Sequence, residues 1–270
     1  MQEFKIIGKI ELPEKKIKPE EYREFLEHKL ADNSREVNEE FDQNFLDEKG
    51  AILMSGGIDL ESDQKFVADL ESNWASEQHK TVEQWQQSKD KNPATITEMA
   101  VTASLHRLLS ERFIVARAST YDDYRYGIDN VLIDKETGAV VCGLDEVLGH
   151  DGDDGASKKE EKIKKILAKG GASLKYGATI NNGKLERQSL KNIPTFYLSL
   201  SKEELDNLLK DLKGSAEATE REKDLALKII SSLERQTESN KMEIKNEDLA
   251  LNFEKFSTSL EIIKKQINKN

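Results

Sequence analysis

The chain has 270 residues, 34% of them charged and 36% hydrophobic, with a net charge of −11 at pH 7. That length can bury a full core in one large domain or in a domain with an appendage, and no apolar run is long enough to span a membrane. A single cysteine, Cys142, excludes a disulfide framework and fits a reducing cytoplasm; with four scattered histidines there is no zinc-ligand spacing, so any metal must be a hard cation on oxygen ligands.

Residues 3–12 alternate loosely and predict a first strand. Helical spacing follows over 20–47, through Tyr22, Phe25, Leu26 and Leu30, and again over 60–88, where Phe66, Trp74 and Trp85 belong to the buried stripe. The two tryptophans read as packing residues rather than a base-stacking platform. After Asn92-Pro93 a helix is predicted over 95–110, opened by Thr95-Ile-Thr-Glu98, which has the form of a capping box. Residues 113–119 read as a strand and 121–127 as a polar, aromatic turn. Two apolar runs, 127–134 and 139–147, joined by Lys135-Glu-Thr-Gly138, predict a β-hairpin.

An amphipathic helix over 157–169 ends at Gly170-Gly171, as a C-cap would. Further strands flank Asn181-Asn-Gly183, the strongest short hairpin signal in the chain. Ser201-Lys-Glu-Glu204 opens a helix through Leu212, and helices over 216–237 and 246–268 close the chain. The last carries Leu249, Phe253, Phe256, Leu260, Ile263 and Ile267 at heptad-like spacing. That seam packs on its neighbour helix or makes an oligomer through 246–268. The predicted fold is mixed α/β, divided into a mostly helical region 1–94, a core 95–212 and a helical hairpin 213–270.

The hairpin carries the chemistry. With its turn centred on Thr137, Ile133 faces Val141, Val131 faces Gly143, and Asp129 faces Asp145 with Cβ atoms about 4.5–5.5 Å apart. Half-residue shifts of that centre put Asp129 opposite Glu146 or opposite Leu144 instead. Two carboxylates that close repel by roughly 3 kcal/mol at an effective dielectric of 20, so water, a proton or a cation must neutralise them. The alternative is a pair of solvated strand ends. Charge is also uneven along the chain: residues 95–155 hold 5 basic and 12 acidic side chains, and residues 156–191 hold 10 basic and 3 acidic. This juxtaposition brings a metal site beside a phosphate-attracting surface, or the lysines form an ordinary solvated helix face. The loop 151–155 fails as a calcium loop, because Ala156 and Lys162 stand where an EF-hand needs Gly and Glu.

From Thr95 the order is helix, three antiparallel strands, helix, strand, with Glu98 in the first helix, Asp129 on the second strand and Asp145-Glu146 on the third. This arrangement resembles the PD-(D/E)XK nuclease superfamily over roughly residues 95–200. The resemblance implies an αβββαβ core and Mg²⁺- or Mn²⁺-dependent hydrolysis of DNA or RNA, with Asp129 and Asp145 as metal ligands. Glu146 joins them only through a bulge or a backbone carbonyl, and Glu98 is either an accessory acid or the capping residue. Val147 stands where the family's lysine belongs, so the amine must come from elsewhere. The candidates are Lys162 on the basic helix and Lys175, preferred for its fixed position on a strand. Lys158, Lys159, Lys162 and Tyr121 are the expected substrate contacts. The alternative function is a nuclease-fold binding or scaffold protein without chemistry, acting through its helical ends.

Overall fold

Three helices precede the sheet: α1 (Arg23–Glu40), α2 (Leu60–Glu77) and α3 (Val82–Lys89). The computed structural model describes residues 18–56, 59–149 and 154–269; the strand expected over 3–12 and most of the acidic loop lie outside them. The helical stretch expected over 60–88 is split in two because His79 adopts a left-handed φ of 53°. Thr81 then opens α3 with a reciprocal capping box to Gln84. In α4 (Pro93–Leu109) the N-cap is Asn92 rather than Thr95: its side chain accepts from the Ala94 amide, and Pro93 takes the first helical position. Glu98 therefore has no capping role and projects from the second turn. The faces of α4 are apolar or small almost all round, so the helix is buried along its length.

The chain continues through β1 (Phe113–Arg117), α5 (Thr120–Tyr126), β2 (Asn130–Asp134) and β3 (Val140–Leu148). The turn expected at 121–127 is the short helix α5, capped by Ser119 and ended by Gly127 at φ 63°. Next come α6 (Asp154–Ala168), β4 (Ala172–Asn181), β5 (Lys184–Ile193), β6 (Thr195–Leu200), α7 (Lys202–Gly214), α8 (Glu220–Asn240) and α9 (Glu247–Lys269). Asn182 and Gly183 both have positive φ, which gives the tight β4–β5 hairpin its type I′ character.

The fold is mixed α/β. One sheet has the order β1-β2-β3-β6, and β4-β5 form a second, two-stranded sheet. β1, β2 and β3 are antiparallel in turn, whereas β6 lies parallel to β3. A parallel neighbour needs a crossover connection, which α6 and the β4–β5 hairpin supply. On one face of the main sheet, Phe113, Val115, Leu132, Leu144 and Phe196 pack with α4, α7, α8 and α9. On the other, Ile114, Val131 and Ile133 pack with Tyr176 and Ala178 of β4. The seam of α9 is taken up inside the chain: Phe256 stacks on Phe196 at 4.4 Å, and all six seam residues are buried. It is therefore not a surface for oligomerisation. Among the described residues no helix is long and apolar enough to cross a membrane.

Candidate functional site

The register of β2 on β3 gathers the acids. Asn130 pairs with Leu144 and Val131 with Gly143, and Asp129 stands one residue before β2. The Asp129 amide donates to the Leu144 carbonyl at 2.8 Å. Toward the turn the ladder slips: Ile133 pairs with Val140 rather than Val141, and an irregularity after Leu132 absorbs the difference. The pleat of β3 then sends the side chains of Asp145 and Glu146 to opposite faces.

Asp145 is fully buried, and two amines neutralise it. Lys162 Nζ donates to its Oδ2 at 2.6 Å, and Lys159 Nζ donates to its Oδ1. Both lysines come from α6, one turn apart, on a face that looks back at β3. The cation demanded by opposed carboxylates is therefore an ammonium pair at this residue. Asp145, expected as a metal ligand, has both oxygens engaged by lysines.

Glu146 turns toward α4. Its Oε1 accepts from Asn130 Nδ2 at 2.8 Å, and the Asn130 Oδ1 in turn lies 2.7 Å from the Thr102 hydroxyl. Its Oε2 is buried with no hydrogen-bond partner among the described residues. The Glu146 amide donates to Asp129 Oδ2 at 2.7 Å, which locks the two residues together at the strand end. Burial, then the neighbouring charge of Glu146, hold the Asp129 carboxyl well above its ordinary range, with Glu98, Asp145 and Asp123 adding to the effect. Burial likewise pushes Glu146 up to about 7 against the Asn130 hydrogen bond. The buried Glu146 and the partly exposed Asp129 beside it raise each other's carboxyls, since two neighbouring carboxylates resist ionising together.

Glu98 completes this side of the cluster. Its Oε2 accepts from Arg117 Nη2 at 3.0 Å, and burial raises its carboxyl while the guanidinium opposes the rise. Asp129 opens on a cleft of about 600 Å³ whose walls include Trp85, Lys89, Arg117, Asp123 and Tyr124. Lys89 Nζ lies 3.8 Å from Asp123 and 4.5 Å from the centre of the Tyr124 ring. Trp74 and Trp85 sit 5.6 Å apart as packing partners, although Trp85 also borders the cleft.

Three expected residues are not brought here. Lys175 Nζ is held by Asp63 at 2.7 Å and Asp59 at 3.4 Å. Its strand, β4, belongs to the second sheet, so a fixed position did not mean a position near the acids. The Tyr121 ring is packed among Phe66, Tyr126 and Tyr176. Lys158 lies exposed on α6. Arg117 and Asn130 are additions that sequence reasoning missed. Arg117 had a signal: it stands in phase with the buried Phe113 and Val115, and a charge in that phase needs a buried partner.

No protein-family model, curated protein or solved structure matches the chain. Among the described residues no set of three or more His, Cys, Asp or Glu side chains is arranged to hold a metal ion. A Mg²⁺-like ion is commonly bound through one or two carboxylates, with water and phosphate filling the remaining positions. Asp129 and the unpartnered Oε2 of Glu146 fit that simpler requirement.

Proposed function

We propose that the protein hydrolyses phosphodiester bonds in nucleic acid with Mg²⁺ or Mn²⁺. Asp129 and Glu146 form the metal-facing pair, and Lys159 and Lys162 replace the amine that β3 lacks at Val147. The observation that carries this reading is the Asp129–Glu146 pair: Asp129 Oδ2 accepts from the Glu146 amide, Glu146 is buried, and its Oε2 receives no hydrogen-bond donor among the described residues. Such an arrangement costs stability unless a proton or a cation completes it. The main sheet supports the same reading in part: an acid-bearing helix, an antiparallel β1–β2–β3 and a parallel fourth strand are present, but α5 interrupts β1 and β2, and the strand expected after the basic helix is β4 of the second sheet, so that β6 takes its place.

A bound divalent ion would polarise a phosphoryl oxygen and lower the pKa of a water. The chain's own residues do the rest. Asp129 and Glu146, once deprotonated, become hard-oxygen donors. Lys159, whose charge acts on Asp129 and Glu146 as well as on Asp145, and Lys162 beside it would supply positive charge near the reacting phosphate. Arg117 and Lys89 supply positive charge to a cleft in which acidic side chains outnumber basic ones six to three, and Glu98 orients Arg117. The buried Cys142, whose thiol burial pushes well up, accords with an intracellular, reducing compartment.

Calorimetry on the full chain at about pH 8, above the value of about 7 to which burial pushes Glu146, tests the site. Mn²⁺ uptake is expected, and Asp129→Asn or Glu146→Gln abolishes it. With labelled DNA and RNA substrates, Lys159→Met lowers cleavage by about 100-fold, the size of one positioned electrostatic contact, and leaves Mn²⁺ uptake nearly intact. A protein that takes up no Mn²⁺ at millimolar concentration and cleaves neither polymer overturns the proposal. A binding protein without chemistry is the second reading, favoured by one observation: Asp145 already engages the amines of Lys159 and Lys162. Nucleic-acid binding with no Mn²⁺ uptake would select it.

A further inference from the structure

Beside Gly127, on the far side of α5 from the Asp129 cleft, lies a second concavity of about 650 Å³. Five cations border it: Arg125 from α5, then Lys158, Lys162, Lys165 and Lys169. The lysines recur at 4-3-4 spacing, so they form one stripe along α6, whose opposite side buries Ile163 and Leu167 in the core. Glu161 is the sole acidic side chain in the lining, and it lies 3.9 Å from Lys165. Arg125, Lys158 and Lys169 have no carboxylate partner among the described residues; Arg125 rests on the Phe66 ring at 5.5 Å instead. The floor is of a different kind, formed in part by Tyr126 and Ile166.

We infer that this groove seats a single strand of nucleic acid, with phosphates on the lysine stripe and unpaired bases on the Tyr126–Ile166 floor. Three features select that ligand. A chain with net charge −11 gathers five cations around one concave space, which focuses potential on an anion. From Lys158 to Lys169 the stripe runs about 16 Å at the helical rise of 1.5 Å per residue, so it meets a linear array of charges and not a lone phosphate. The apolar and aromatic floor offers nothing to a phosphate but suits the faces of bases, and only an unpaired strand presents those faces. Lys162 joins the groove to the site already described, because the same amine holds Asp145. α5 lies between the two spaces, turning Arg125 and Tyr126 to the groove and Asp123 and Tyr124 to the cleft. A strand lying along α6 is thereby led past Gly127 toward Asp129. The phosphodiesterase reading supplies only this last step; the groove's ligand follows from its own lining.

The test uses the full chain in EDTA, so that binding is read without cleavage, with a labelled single-stranded oligonucleotide and its duplex followed by fluorescence anisotropy. The single strand is expected to bind more tightly than the duplex. With Lys162 held by Asp145, the other four cations imply that its Kd rises by about 50-fold between 50 and 200 mM salt, at roughly 0.7 counterions per phosphate contact. The triple variant Lys158→Gln, Lys165→Gln, Lys169→Gln should weaken binding and reduce that salt effect to about threefold. Tyr126→Leu should weaken single-strand binding by about tenfold through lost stacking. The charge-matched control Lys202→Gln, Lys210→Gln, Lys255→Gln, on α7 and α9, should bind as the unmodified chain does. Equal or tighter duplex binding, an unaffected Tyr126→Leu variant, a triple variant that binds normally, or a control that loses as much would each overturn the inference. The two proposals fail separately: strand binding through the groove without cleavage in Mn²⁺ removes the enzyme and keeps the groove. Cleavage of single strands that the triple variant leaves unchanged removes the groove and keeps the enzyme.

Discussion

Glu146 keeps its proton in the folded protein to about pH 7, whereas its ordinary value is 4.5. An acid raised in this way is indifferent to pH below its unfolded value; above it, the unfolded chain ionises first and the folded state loses relative stability until the folded value is passed. Asp129, Glu98 and Asp123 are shifted in the same direction. The metal-free protein should therefore melt progressively lower as pH rises from about 5 to 8, a loss on the order of 3 kcal/mol from Glu146 alone at about 1.4 kcal/mol per unit. Glu146→Gln should flatten that slope in melting curves recorded across the range; an unchanged slope would mean the carboxyl is charged throughout. Asp145 is held differently, by two ion pairs. Sequence reasoning from carboxylate repulsion implies that Asp145→Asn stabilises the metal-free chain. With Lys159 and Lys162 on its two oxygens, the substitution should instead destabilise it by about 2 kcal/mol, the worth of charge-assisted hydrogen bonds lost to partly exposed lysines. A raised denaturation midpoint for Asp145→Asn would refute the ion-paired role.

At the scale of elements, the acids were legible and the bases were not. β2 and β3 announce themselves by alternation and a Gly-containing turn, and Val131 faces Gly143 as expected, even though the bulge after Leu132 shifts the turn end and the Asp129 amide bonds to Leu144. What reaches Asp145 from α6 depends on where a crossover helix lands, a long-range matter that local pattern does not encode; hence Lys175 was favoured over Lys162, and Lys159 was expected only as a substrate contact. α5 was legible as composition but not as a helix, since its start rests on the Ser119 side chain and its end on Gly127. Gly127 shows how tightly these elements meet. It takes a left-handed φ of 63°, and an added Cβ would lie 2.1 Å from Lys162 Nζ. Gly127→Ala should cost about 1–2 kcal/mol in backbone strain and, because a lysine tip moves more easily than a backbone, dislodge that amine from Asp145. A double-mutant cycle reads this directly: Lys162→Met should cost less in the Gly127→Ala background than in the unmodified chain. Strict additivity would show that the lysine stays in place.

Across the whole molecule, the apolar core on the α4 face runs without a break from Leu26 in α1 through Leu108, Leu144 and Phe196 to Ile230 and Ile267. The C-terminal helices thus complete the layer behind the sheet that holds Glu146. One polar contact ties them to α4: Glu222 of α8 is buried, accepts from the Ser104 hydroxyl at 2.7 Å and pairs with Arg107, which also donates to the Ser215 carbonyl at 2.8 Å. Removing the guanidinium leaves a buried carboxylate with a neutral hydroxyl as its remaining side-chain partner, so Arg107→Met should cost about 3–5 kcal/mol. Replacing both partners with apolar groups, as Arg107→Met with Glu222→Leu, should recover much of that loss, because the isolated charge is gone. Calorimetric melting distinguishes one cooperative unit from a core with an independent helical hairpin. Since α8 and α9 share the core of the sheet, the unfolding of Arg107→Met should remain a single transition, displaced to lower temperature. If a second transition separated from the first, the hairpin would be an autonomous appendage and the Glu222 contact a docking point between two folding units.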